Sequence, residues 1–399
     1  MAVDVRPVLC DNLSHDNTPL RAADRQQERG MTTIDPSVYR NRIAKAQEAL
    51  TARGAHALLL GPSADLFYLT GFDAHHSERL NLLIVPAAGD PALVVPSFEV
   101  PLLGDTKDLF PVHSWVDHEN PNTLAAGLIG DVAGKTIAVG NQLWSGFLLR
   151  LQAQLPGATW IEGDPVLRDL RMHKEPIEVE LLAEAARLTD RAWERFIESG
   201  PISGLTELQA LQRLIDISTE EGLHDVHGIC GSGPHSASPH HSGGDRVIQE
   251  GDAVVFDWGG IINGYRSDVT RTVYVGTPTD EYRKVYEIVK QANEATLQAV
   301  KPGLPLQELD RTARKLITDA GYGEAFLHRV GHGLGLEVHE EPYLVEGNEL
   351  PLAPGMVFSD EPGIYLEGRF GVRIEDTVVC TEDGGQRLNN ATRDLTVMD

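Results

Sequence analysis

The sequence is short of cysteine, of aromatic residues, of positive charge and of long apolar runs. Its three cysteines, Cys10, Cys230 and Cys380, lie far apart with no CxxC spacing. That excludes a disulfide framework and a thiolate zinc site, and it is compatible with a reducing cytoplasm, the expected location. Lysine and arginine number 34 against 59 acidic residues, a formal charge of −25. Nucleic acid and anionic membrane surfaces both require a cationic footprint, so neither is an expected partner. No apolar stretch approaches the roughly 18 residues of a membrane-spanning helix. The first 30 residues lack the apolar core of a secretory signal and are polar and mixed in charge. A disordered extension is expected over residues 1–34, with Met31 as an alternative start.

What is present suits two or three domains: 399 residues, 41% of them hydrophobic. Tyr39 to Gly54 is amphipathic, with Ile43, Ala46 and Leu50 on one helical face. Short apolar runs follow at Ala57–Leu60, Leu66–Leu69, Leu80–Val85 and Ala92–Val95. Thr136–Val139 reads as a strand between helical stretches near Leu124–Val132 and Phe147–Leu155. Such alternation predicts a small α/β domain over residues 35–170. A charged connector, Asp164 to Pro176, leads into a second domain over 171–399. There, helix pairs at 176–200 with 207–222, and at 282–299 with 306–320, alternate with hairpins, which predicts an α+β architecture.

The anomaly lies in GDAVVFDWGGIINGYRSDVTRTVYVG, Gly251 to Gly276. Two strands are predicted, yet each carries an aspartate, Asp257 and Asp268, in an otherwise buried context. With a loop centred between Ile262 and Asn263 the two face each other, Cβ atoms roughly 5 Å apart. With Asn263-Gly264 as the turn they are diagonal neighbours on one face. Two carboxylates held so close need a proton or a cation between them.

Further ligand types follow. Gly331-His332-Gly333-Leu334-Gly335 sets glycines around His332, permitting close backbone approach. His339 follows in EVHEEP. Glu361 precedes a Pro-Gly pair in SDEPGIY, and Glu375 lies in the alternating FGVRIEDTVV. Glu361 and Glu375 are symmetric about Gly368, so a hairpin centred there opposes them. Four carboxylates and one imidazole suit divalent ions such as Mn²⁺, Co²⁺ or Zn²⁺, and a pair of such ions supports hydrolysis. Taken singly, each residue has a plainer reading as a solvated strand residue or a packed ring, and HEEPY is not HExxH.

Taken together and in order, VVFDWG, YRSDVTRT, GHGLG, EVHEEP, DEPGIY and GVRIED resemble the pita-bread metallopeptidases, specifically the Xaa-Pro branch of prolidases and aminopeptidase P. The resemblance covers roughly residues 176–395, and the upstream domain fits the creatinase/prolidase-type N-terminal domain. It implies Asp257, Asp268, His332, Glu361 and Glu375 as ligands of two divalent ions, Mn²⁺ foremost. It implies catalytic roles for His240, in GSGPHSASPHH, and for His339, both donating to the substrate carbonyl and oxyanion. Glu361 would carry the proton from the attacking water to the leaving nitrogen. Arg373 and Thr270 would support the carboxylates. His241 is expected to pack or face solvent, and His235, His224 and His227 to line the pocket at most.

The implied substrates are short proline-containing peptides and the implied assembly is a homodimer. The bond before proline is a tertiary amide without an N–H, which general peptidases require. Xaa-Pro dipeptidase is the leading reading and Xaa-Pro aminopeptidase the alternative. Methionine aminopeptidase fits the upstream domain poorly, creatinase-like hydrolases lack a full metal set, and non-catalytic pita-bread binding modules typically have lost ligands. One departure concerns the substrate-binding end. Several prolidases carry an arginine just after the HE-x-P motif, where this chain has Tyr343.

Overall fold

The computed structural model describes residues 34–399. The extension expected over residues 1–34 therefore lies, Ile34 apart, outside the described residues. Helix α1, Pro36–Ala52, starts where proline can sit at the first helical position and the Asp35 side chain accepts from the Ser37 N–H. It buries Ile43, Ala46 and Leu50, the face predicted by their spacing. The run Leu66–Leu69 is not a strand. It belongs to α2, Ala64–Thr70, capped by the Ser63 side chain and closed by Gly71 in the left-handed region.

The other elements of this region are β1 (Ala55–Leu60), β2 (Leu82–Pro86), β3 (Ala92–Pro96), β4 (Val112–Trp115), α3 (Pro121–Ile129), β5 (Thr136–Val139), α4 (Ser145–Gln154) and β6 (Thr159–Glu162). The strands form one mixed sheet in the order β4-β3-β2-β1-β5-β6. The charged connector holds a further helix, α5, Asp164–Met172. Its Val166 and Leu167 are buried in the same core as Leu58 and Leu83. Residue 170 thus falls inside a helix.

Helix α6, Pro176–Glu198, opens with proline at its first position and a capping box between Glu175 and Glu178. With α7, Glu207–Glu220, it covers a sheet of β7 (His224–Ser232), β8 (Ala253–Ile262), β9 (Tyr265–Arg266), β10 (Val269–Val275) and β18 (Thr396–Met398). Trp193 and Phe196 from α6 and Leu211 and Leu214 from α7 bury Val254, Phe256, Trp258 and Val273. Burying each large side chain is worth about 1.5–3 kcal/mol. A second helix pair, α8 (Asp280–Ala299) and α9 (Gln307–Asp319), packs on β13 (Val357–Asp360) and β16 (Asp376–Thr381). These strands belong to the sheet β12-β11-β13-β16-β17, where β11 is Gly331–Gly333, β12 Glu340–Leu344 and β17 Gly384–Arg387. A short ribbon pairs β14 (Gly363–Leu366) with β15 (Phe370–Arg373).

Two registers decide where the acids point. In the first hairpin Ile262 pairs with Tyr265 and Asp257 with Thr270. The turn is therefore Asn263-Gly264, and both residues have positive φ, 49° and 86°, the signature of a type I′ turn. Asp257 and Asp268 are diagonal on one face rather than directly opposite. In the second hairpin Gly363 pairs with Arg373 and Asp360 with Asp376. Glu361 and Glu375 occupy the matching positions between these two ladder segments, as symmetry about Gly368 predicts.

Arg42 of α1 ties the two halves together although it is almost wholly buried. It donates to the Tyr68 carbonyl, to Glu175 and to the Tyr265 hydroxyl. Tyr265, just after the turn, donates in turn to Glu178.

Candidate metal centre and active site

The helix-covered side of β8 and β10 is apolar, so strand alternation sends Asp257, Asp268 and Thr270 to the opposite side. Glu375 reaches the same place through an isolated bridge to Thr270, its N–H donating to the Thr270 carbonyl at 3.1 Å. His332 arrives on β11, and the adjacent glycines explain how. A Cβ on Gly331 would lie 1.9 Å from the Ser359 carbonyl oxygen, and one on Gly333 would lie 2.3 Å from that of Glu341. Only glycine lets the strands on either side close on the histidine.

Ligand atoms of Asp268, His332 and Glu375 lie within 4.8 Å of one another. His332 Nε2 is 3.4 Å from Glu361 Oε1 and 3.7 Å from Asp268 Oδ2. Its Nδ1 lies 3.1 Å from the Gly333 carbonyl oxygen, which can only accept. Nδ1 therefore carries the proton and Nε2 presents its lone pair to the carboxylates. Burial, then neighbouring His339, holds the ring neutral, its pKa pushed down to about 3.

The carboxylates show the converse. Burial and then the charges of Asp257 and Glu361 push Asp268 well above the usual range. Burial and then Asp268 do the same to Glu375. Burial raises Glu361 to about 7, against the pull of Arg373 and with Asp257 adding to the rise. Among the described residues Arg373 is the one guanidinium bonded to a carboxylate of this group. Its Nη2 donates to Asp257 Oδ2 at 2.6 Å and its Nε to Thr270 Oγ1 at 2.9 Å. The Thr270 hydroxyl passes the contact on, donating to Glu375 Oε2 at 2.7 Å. One fixed cation does not neutralise four clustered carboxylates, so the donor set fits additional divalent cations.

His339 and His240 both stand at the rim, each partly open to solvent. The His339 ring meets His332 edge-on at 4.1 Å between centroids. Burial, then Arg329, lowers its pKa, with Asp257 acting the other way and His240 adding to the lowering. The imidazole of His240 thus sits within electrostatic reach of His339. Tyr343 pairs with His332 across the β11–β12 ladder, and the Arg329 guanidinium lies 4.2 Å from the centre of its ring.

Several participants have no counterpart in the sequence reading. Tyr365 accepts from Arg373 Nη1 at 2.9 Å, and its hydroxyl is 2.8 Å from His328 Nε2. Ser359 Oγ accepts from the His332 N–H at 3.0 Å. Tyr365 lies inside DEPGIY and His328 four residues before His332, so proximity to motifs was the available signal. Glu340, next to His339, is buried between Lys174 Nζ at 2.6 Å and Arg171 Nη2 at 2.5 Å. Those two cations come from the charged connector, which sequence alone leaves looking like a solvated linker. His224 and His227 lie on β7, opposite Ile261 and Gly259 of β8. His235 and His241 instead turn toward Glu207.

The chain is similar to known proteins along most of its length. Residues 180–382 match metallopeptidase family M24, and residues 42–173 match the creatinase/prolidase N-terminal domain. The chain is 41% identical over 374 residues to a probable dipeptidase PepE of Mycobacterium tuberculosis, covering 92% of this chain and 99% of that protein. It is similar to the crystal structure of dipeptidase PepE from Mycobacterium ulcerans, at 42% identity and TM-score 0.86 over 92% of this chain and 100% of that one. A prolidase from Thermococcus sibiricus is similar at 39% identity and TM-score 0.85, again over 92% and 100%. The fold is thus a creatinase-type N-terminal domain joined to a pita-bread catalytic domain, and the chain belongs to metallopeptidase family M24.

Proposed function

We propose that the protein is an Xaa-Pro dipeptidase, hydrolysing the bond before proline in short peptides with two divalent ions, Mn²⁺ foremost. The observation that carries this reading is the convergence of Asp268, His332 and Glu375 within 4.8 Å, with Glu361 3.4 Å from His332. Asp257, Asp268, His332, Glu361 and Glu375 would hold the ions. The ions supply polarisation of the scissile carbonyl and of the attacking water. Glu361 accepts the proton that water loses and delivers it to the prolyl nitrogen as the C–N bond breaks. His240 and His339 donate to the carbonyl oxygen as it gains negative charge. Arg373 and Thr270 hold Asp257 and Glu375 in orientation.

The dipeptide preference rests on Arg329. It has no carboxylate partner among the described residues, stacks on Tyr343, and bears electrostatically on His332, His339 and Glu361. It supplies near Tyr343 the cation that several prolidases carry just after their HE-x-P motif, available for a substrate carboxylate. The same reading takes 35–170 and 171–399 as the two domains, a homodimer as the assembly and the cytoplasm as the location. Among the described residues no helix is long and apolar enough to cross a membrane.

The test is hydrolysis of Ala-Pro, Ala-Pro-amide and Xaa-Pro tripeptides with Mn²⁺, before and after chelation. Ala-Pro should be preferred, and Arg329→Met should raise KM for Ala-Pro but not for its amide. Asp268→Asn should abolish activity and lose metal. Activity indifferent to chelation sinks the metal mechanism, and turnover of tripeptides alone favours the aminopeptidase reading.

A further inference from the structure

His235 and His241 lie on either side of His240, yet both imidazoles turn away toward the first residue of α7. Glu207 is wholly buried there. Its Oε1 accepts from the Ser232 N–H at 2.8 Å and from the Ser232 hydroxyl at 2.7 Å. His235 Nδ1 is 3.0 Å from Oε1 and 3.2 Å from Oε2, and His241 Nε2 is 2.8 Å from Oε2. The two rings stand 4.2 Å apart, tilted by 42°. One ligand atom from each of the three residues falls within a 4.8 Å group.

A carboxylate taken out of water needs a positive partner. The neighbouring guanidinium of Arg246 is committed elsewhere, to Asp252 at 2.6 and 2.9 Å and to the Ser232 hydroxyl at 2.6 Å. We propose that Glu207, His235 and His241 form a further metal site, sharing no ligand with the Asp268–His332–Glu375 group. Two imidazoles and one carboxylate select a borderline ion such as Zn²⁺ or Co²⁺ over Mg²⁺ or Ca²⁺. On a tetrahedral zinc with bonds near 2.0–2.1 Å, neighbouring ligand atoms stand about 3.3 Å apart. The observed 2.8–3.2 Å separations reach that by a spread of a few tenths of an ångström.

The imidazoles remain partly exposed, their side chains 43% and 25% accessible, so an ion can enter and keep a water ligand. Ser232 holds the carboxylate and Arg246 holds Ser232, the outer support a metal ligand requires. An ion here fastens the segment 232–241 to α7 and thereby steadies His240 at the active-site rim.

The test uses the full chain, stripped with a chelator, dialysed against excess Zn²⁺, freed of loose metal by gel filtration and assayed by elemental analysis. The variant His235→Ala/His241→Ala should retain one equivalent fewer than wild type. The variant Asp268→Asn/Glu375→Gln should still retain that equivalent. Its Co²⁺ form should show visible ligand-field bands that vanish when His241→Ala is added. Both histidines are partly exposed, and circular dichroism of each variant confirms folding. Equal zinc content in wild type and the double-histidine variant overturns the proposal, leaving a hydrogen-bonded clamp without an ion. So does absence of metal from the Asp268→Asn/Glu375→Gln variant. Failure of the catalytic centre would register instead as activity that survives chelation.

Discussion

Replacing Thr270 by valine removes one oxygen from the middle of the proposed metal centre and little else. The hydroxyl donates to Glu375 Oε2 at 2.7 Å and accepts from Arg373 Nε at 2.9 Å. Thr270 is wholly buried, so no water takes over either contact. Valine keeps the branched shape and suits a strand. A hydrogen bond to a charged group is worth about 1.5–3 kcal/mol, and losing a contact that orients a metal ligand typically lowers metal affinity about 10–100-fold. The two figures agree, since about 1.4 kcal/mol is a factor of ten. The assay is the Mn²⁺ concentration giving half-maximal Ala-Pro hydrolysis by chelated protein, with calorimetric Mn²⁺ binding alongside. The midpoint should rise about 10–100-fold while the rate at saturating Mn²⁺ stays within about fivefold of wild type. Thr270→Ser, which restores the oxygen, should return the midpoint toward wild type. A folded valine variant whose midpoint lies within about twofold of wild type refutes the chain Arg373–Thr270–Glu375 as a support of the centre.

Two further outcomes concern stability. Despite burial, Lys174 and then Arg171 hold the Glu340 carboxyl below its ordinary range. A depressed folded pKa contributes stability that is full above the unfolded value of about 4.5 and is lost as pH falls through the folded value. Glu340→Gln should therefore cost about 3–5 kcal/mol at pH 7 in urea unfolding. The gap to wild type should narrow as pH falls below about 4.5; a gap that does not change with pH counts against the pairing. At Gly264, φ is 86° and an added Cβ would lie 2.4 Å from Phe67 Cε1. Gly264→Val should lose about 2–5 kcal/mol through strain and overpacking, read as a lowered melting midpoint. An unchanged midpoint would contradict the turn.

Much of the fold is legible because it rests on local rules. Helical periodicity and proline at the first position locate α1 and α6, and β-branched runs mark β8 and β10. Leu66–Leu69 is open to either reading because a four-residue apolar run has no period of its own. Ser63 as cap and Gly71 as terminator decide for helix. Of the candidate site, the acids that look misplaced in buried strands converge, since alternation puts them on one face whichever register is adopted. The register itself is not readable from alternation. Both turns considered keep Asp257 and Asp268 on the same side, and the positive φ at Asn263 and Gly264 selects the diagonal one.

The sequence by itself determined the candidate ligand types, their order, the shared face of each hairpin and the helix pairs that back them. These follow from residue chemistry and short-range geometry. Only the tertiary structure decided what the long polar side chains do. Arg171 and Lys174 leave the connector to grip Glu340, Arg329 comes to lie over Tyr343, and His241 turns from the cleft to Glu207. A flexible side chain can point along several directions from one backbone position, and distant partners settle which one is kept.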